Sequence, residues 1–131
     1  MAIQHVKIAV TVAGADGAAA GSTTTGTAIR GYFLGAYVTY TSQPNTTDVT
    51  VATPGNTHPA VTLLTLTNAN TNGWKYSRAQ VHDTAGAALT LDGTRANVEK
   101  IPITDQITVT VAQGNAGSVV VVVLWDDGRS K

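Results

Sequence analysis

The sequence contains three histidines, His5, His58 and His82, and no cysteine. Imidazole is the side chain whose unperturbed pKa sits nearest neutrality, so these positions are the first candidates for acid–base work. They stand far apart and show neither the two-residue nor the four-residue spacing of a metal-binding pair. Absence of cysteine excludes disulfides, thiol chemistry and thiolate zinc sites. His5 falls on the polar side of an alternating segment, and His58 precedes Pro59 in a turn. His82 is followed by Asp83, a pairing that could orient an imidazole as a general base. The same aspartate leads into "TAG", where its carboxylate would accept backbone N–H groups and start a turn. An active site would also need a nucleophile and an oxyanion donor, and neither stands out. We therefore expect a protein that is not an enzyme, with no cofactor and no metal.

The remaining groups offer little more. Asp16, Asp48, Asp92, Glu99, Asp105, Asp126 and Asp127 mostly lie beside glycine or at strand starts and read as solvated turn acids. "DDG" near the C-terminus lacks the spaced ligands of a calcium loop. Ser22, Ser42, Ser77, Ser118 and Ser130 include no G-x-S-x-G elbow. Eight basic residues balance eight acidic ones. The cations are scattered singly, so no basic face for nucleic acid is expected.

"NTNGWKYSRAQVHDTAG" is the most distinctive polar-aromatic stretch. Trp74 and Tyr76 alternate with Lys75, and Arg78 follows. Large aromatics with arginine are the residue types that anchor protein interfaces. A sugar-binding platform would use the same pair, and a sandwich core could be capped by it.

These side chains must be carried by strands. Val and Thr abound, and no stretch sustains a helical apolar spacing. Period-two segments bounded by turn residues recur instead. They are "HVKIAVTVA" (5–13), "TAIRGYFLGAYVTYT" (27–41), "TDVTVAT" (47–53), "AVTLLTLT" (60–67), "WKYSRAQVHD" (74–83), "AALTL" (87–91), "VEKIPI" (98–103) and a closing hairpin over 106–125. Gly31 and Gly35 mark a bend or bulge in the second segment. There Tyr32, Leu34, Val38 and Tyr40 are expected on one face, and Ile29, Phe33 and Tyr37 on the other. Pro102 suggests a sheet edge. Residues 14–26 are small and read as a flexible loop. The pattern predicts one all-β domain over 1–131, an antiparallel β-sandwich or jelly roll of about eight strands.

The final strand breaks the alternation. Val119 to Trp125 are all apolar. If Val119, Val121, Val123 and Trp125 face the core, then Val120, Val122 and Leu124 need another cover. Leaving three large aliphatics in water forfeits roughly 1.5–3 kcal/mol each. The cover could be the 14–26 loop, a folded-back terminus or a second subunit. The run is shorter than the ~20 residues of a membrane span. Charged residues make up 12 % of the chain, about half of the usual ~25 %, a surface suited to coverage by neighbours. The N-terminus lacks the basic start and long apolar block of a signal peptide, so a protein made without export is expected.

The succession "GAYVTYTSQPNTTDVTVAT", "NTNGWKYSRAQVHDTAGAALTL", "EKIPITDQITVTVAQGNAGSVVVVVLW" resembles small virion proteins encoded among the capsid genes of tailed bacteriophages. The resemblance spans roughly residues 29–125. It implies a virion structural protein, made in the host cytoplasm, that decorates or cements the capsid. It further implies a homotrimer bound to the major capsid protein, with no nucleic acid or membrane partner. The candidate interface residues are Trp74, Tyr76, Arg78, Val120, Val122 and Leu124. A head–tail or tail component, and a carbohydrate-binding module presenting Trp74 and Tyr76, are the alternative readings.

Overall fold

A computed structural model of the protein describes residues 2–128, and within them the chain is all-β. Strands β1 (Ile3–Val12), β2 (Ala19–Thr24), β3 (Ile29–Thr41), β4 (Asp48–Ala52) and β5 (Thr62–Leu66) come first. The short β6 (Gly73–Lys75), β7 (Ala79–Gln80) and β8 (Val98–Glu99) follow. Strands β9 (Ile101–Asp105), β10 (Thr108–Gly114) and β11 (Gly117–Asp126) close the chain. All pairings are antiparallel. One sheet runs β1-β11-β3-β6, with β9 paired to the other end of β3, and a second runs β2-β10-β4-β5. β7 and β8 pair with each other in a third, small sheet. Backbone bonds between Ala13 and Ala20 join the two large sheets along one side.

Alternation builds the core. Val10 and Val12 of β1, Val119, Val121 and Val123 of β11, and Val49, Val51, Val109 and Val111 of the second sheet are all buried. Val109 stands opposite Val51, and Val111 opposite Val49. Such cross-strand pairs stabilise the ladder while filling the space between the layers. Trp125 is only partly buried and packs against the rim of this core.

β3 corrects the expected face assignment. The β11 ladder matches Leu124 with Gly35 and Trp125 with Phe33, skipping Leu34. This bulge shifts the alternation by one residue. Phe33 before it and Val38 after it therefore point into the same core, although a strict period of two would separate them. Gly31 needs its missing side chain here: its φ is 142°, and a Cβ would collide with the Asp126 carbonyl.

Four further expectations are revised. Residues 19–24, read as part of a loop, form β2 on the free edge of β10, with Thr24 and Thr108 hydroxyls 2.7 Å apart. An edge strand of Ala, Gly, Ser and Thr has no bulky period-two signal, and Ala19 is buried because it is small. The expected strand over 74–83 is split, because β6 ends at Lys75 and β7 begins at Ala79. Residues 87–91 make only isolated bridges, Ala88 to His82 and Thr90 to Ala96. Asp105 and Asp126, read as solvated, are buried. Each carboxylate accepts a nearby backbone N–H, from Gln106 and Gly128 respectively, which offsets part of its lost hydration. Pro102 lies where expected, on β9 at the edge of β3 and opposite Tyr32.

One buried polar atom is unsatisfied in a way that can be tested. The Tyr40 hydroxyl is enclosed and has no hydrogen-bond partner among the described residues. Its burial pushes the phenol pKa above the ordinary value. Tyr40→Phe removes the desolvated oxygen and keeps the ring. It should raise stability by about 1–2 kcal/mol in urea unfolding at neutral pH.

Candidate assembly interface

β11 has partners on both sides, so its outward residues form the middle of a cross-strand pattern. Val122 lies opposite Lys7 of β1 and Tyr37 of β3, and Tyr37 lies opposite Trp74 of β6. The row Lys7–Val122–Tyr37–Trp74 therefore crosses the sheet on its outer face. Val120 sits in the next row between Ala9 and Thr39, and Leu124 in the other between His5 and Gly35. Val120, Val122 and Leu124 are each half-buried. The 14–26 segment does not cover them, because its strand belongs to the other sheet.

The aromatics extend this face. Tyr37 meets Trp74 edge-on with centroids 5.2 Å apart. Trp74 stacks on Tyr76 at 6.0 Å with 10° between the planes. Such pairs hold exposed rings in fixed positions at little entropic cost. Trp74 remains 44 % exposed and Tyr76 61 %. Gly35 seats the Tyr76 ring, since a Cβ there would lie 2.5 Å from its Cδ1.

Arg78 also ties this face to the backbone beneath it. Its Nη1 donates to the Leu34 carbonyl at 2.9 Å and to the Ser77 carbonyl at 2.8 Å. Leu34 is the residue that the β11 ladder skips, so the guanidinium ties the bulge to the segment leaving β6. Five of the six candidate residues thus share or border one face, and Arg78 braces its rim. Tyr37, Gly35 and Lys7 also belong to this face. Their signal lay in register, which a single chain's pattern does not reveal.

The outer face of the second sheet differs. Thr110 lies opposite both Ser22 and Thr50, and Thr50 opposite Thr65. A row of hydroxyls therefore occupies the place that Lys7, Val122, Tyr37 and Trp74 hold on the first sheet. One outer face is dressed for water and the other is largely apolar.

Beyond Arg78 the chain makes an arm that returns at Lys100. Val81 N–H donates to the Asn97 carbonyl, Asn97 N–H to Leu89, and Leu89 N–H to Val81. This closed ring of three backbone bonds holds the arm with almost no core of its own. Leu91 is 66 % exposed and Val98 46 %. His82 and Asp83 lie within it. One Asp83 carboxylate oxygen accepts the N–H groups of Ala85 and Ala87, both at 2.9 Å, as expected of a turn aspartate. His58 is held between the Pro59 carbonyl and the Thr104 hydroxyl. His5 is exposed on β1, and the three imidazoles do not converge. No group of three or more His, Asp or Glu among the described residues is placed to hold a metal ion. Ser130 lies outside the described residues.

Comparison of the chain with protein-family models, with curated proteins and with solved structures finds no match.

Two measurements probe this geometry. Gly35→Ala should unseat Tyr76, changing the near-ultraviolet circular dichroism of the Trp74–Tyr76 pair and costing about 1–3 kcal/mol of stability. At the arm tip, backbone N–H bonds from Arg95 and Thr94 and the Arg95 side chain hold the Asp92 carboxyl below its ordinary pKa. A depressed folded pKa stabilises the turn above the ordinary carboxylate range. That support is lost as pH falls through the lowered value. The Thr94 and Arg95 amide resonances should therefore titrate together below about pH 3.9, the usual aspartate value.

Proposed function

We propose that the protein is a non-enzymatic virion structural subunit that decorates or cements a capsid, and that the outer face of its first sheet is the contact surface. The observation that carries this reading is the contrast between the two outer faces. Val120, Val122, Leu124, Tyr37, Trp74 and Tyr76 are left partly or largely open on one, while hydroxyls line the other. Apolar sheet surface of this kind gains about 25 cal/mol for each Å² removed from water. It is also a liability for a free chain, because flat β surface associates indiscriminately. Coverage by neighbouring copies, as a homotrimer, and by the major capsid protein removes both penalties. The sequence resemblance supports the virion assignment, and the low charge content supports a covered surface.

The mechanism is contact area multiplied over copies. A subunit touching several shell proteins converts modest individual interfaces into tight attachment, because once one contact forms the others become intramolecular. The stacked rings with the Gly35 seat supply rigid anchors, and the valines supply the flat ground around them.

The test is association and particle binding. Light scattering after size exclusion should show a trimer, and the purified protein should bind expanded heads and raise their resistance to heat. Val122→Thr with Leu124→Thr should leave the fold intact and shift the protein towards monomer with at least about tenfold weaker head binding. A wild-type monomer at high concentration that ignores heads would overturn the proposal. The same stacked rings favour one rival, a glycan platform. Binding to a glycan array that disappears in Trp74→Ala/Tyr76→Ala, with no head binding, would establish that function instead.

A further inference from the structure

The free edge of β1 carries a second, independent site. β1 and β2 are the edge strands of the two large sheets, and they meet along one side of the molecule. The meeting is graded. Ala13 exchanges two backbone hydrogen bonds with Ala20. The Thr11 carbonyl faces Gly21 so closely that a Cβ there would not fit. At Ala9 only a side chain reaches across, with Thr23 Oγ1 donating to the Ala9 carbonyl at 3.0 Å. Alternate residues of an antiparallel strand direct both backbone groups to the same side. The odd-numbered residues of β1 therefore point away from β11, and the N–H and C=O of Lys7 and His5 continue the series. Neither residue has a backbone partner on that side among the described residues.

Where the pairing stops, a cleft of about 430 Å³ opens between β1 and the Thr23–Ile29 segment, with Trp125 at its end. Its β1 wall runs from His5 to Ala9, roughly 13 Å at 3.3 Å per residue. The opposite wall is the Thr23–Ile29 segment, which leads from β2 to the start of β3. Lys7 and His5 are the titratable side chains of the lining, and no carboxylate accompanies them.

From this geometry we infer that the cleft receives a free extended segment of a partner protein as an added strand. The segment pairs with the backbone of His5 and Lys7 and places an acidic side chain beside Lys7. Main-chain bonds supply attachment, and the Lys7 charge selects among segments, the division of labour found where strands are added to open sheet edges. The inference rests on the outward backbone edge of β1 and not on the apolar outer face, although the Lys7 side chain borders both.

The probe is a capped peptide of sequence TVDVTV, titrated into the full-length protein while amide exchange is followed by NMR. The expected result is slowed exchange at the His5 and Lys7 amides, with the Trp74 and Tyr76 resonances unmoved. Lys7→Pro removes one outward N–H and leaves the β11 ladder intact, as proline does on an edge. It should weaken the peptide about tenfold. Lys7→Glu should reverse the preference towards a TVKVTV peptide. The same TVDVTV strand, fused ahead of the chain through an Asn-Gly turn, supplies the segment at high effective concentration. If neither free nor fused strand slows exchange at His5 and Lys7, the inference is wrong. Slowing that depends on protein concentration without any peptide would assign the edge to a second copy and also overturn it.

Discussion

A strand paired on both sides has only two faces left, and β11 is such a strand, flanked by β1 and β3. Its period of two sends Val119, Val121 and Val123 into the core and leaves Val120, Val122 and Leu124 on the outside, whatever else the chain does. No repacking inside the sandwich can bury both sets. The remaining architecture answers to this constraint. β1 and β3 flank the greasy strand, and the aromatics of β3 and β6 continue its outer surface.

The bulge at Leu34 links that surface to the core. It brings Phe33 and Val38 to the same interior while Tyr37 stays outside beside Val122. It also leaves the Leu34 carbonyl for Arg78, which sets where the chain leaves the sheet and starts its arm. Gly35, next to the bulge, has no side chain to keep Tyr76 away. One inserted residue therefore aligns the core, seats the aromatic pair and anchors the arm. Bulges commonly re-aim side chains in this way. Here the result is a rigid ring pair raised on an apolar floor.

Two surfaces of the molecule hold unmet bonding capacity of different kinds. The outer face offers apolar area, which is non-directional and suits any complementary flat partner. The β1 edge offers backbone donors and acceptors in a fixed register, which suits one extended chain. A protein carrying both can hold a neighbour by area and fix its orientation by pairing.

The all-β class, the strand density, the alternation of β1, β4 and β10 and the edge position of Pro102 were legible in the sequence. Each follows from local chemistry: β-branched residues at period two and a proline without an N–H. The apolar run at Val119–Trp125 also announced by itself that one strand would be greasy on both faces, and Asp83 announced its turn. β2 was not legible, because small residues carry no period and its strand state comes from the free edge of β10. The face switch in β3 was equally hidden, since a bulge is set by the partner strand's register. The bond from Arg78 to the Leu34 carbonyl was hidden as well, because it exists only where the bulge leaves that carbonyl free. The union of Trp74 and Tyr76 with Val122 and Leu124, some fifty residues away in the chain, was decided by tertiary structure alone. Side-chain periodicity is a property of one strand, whereas which strands lie side by side depends on the free energy of the whole sheet.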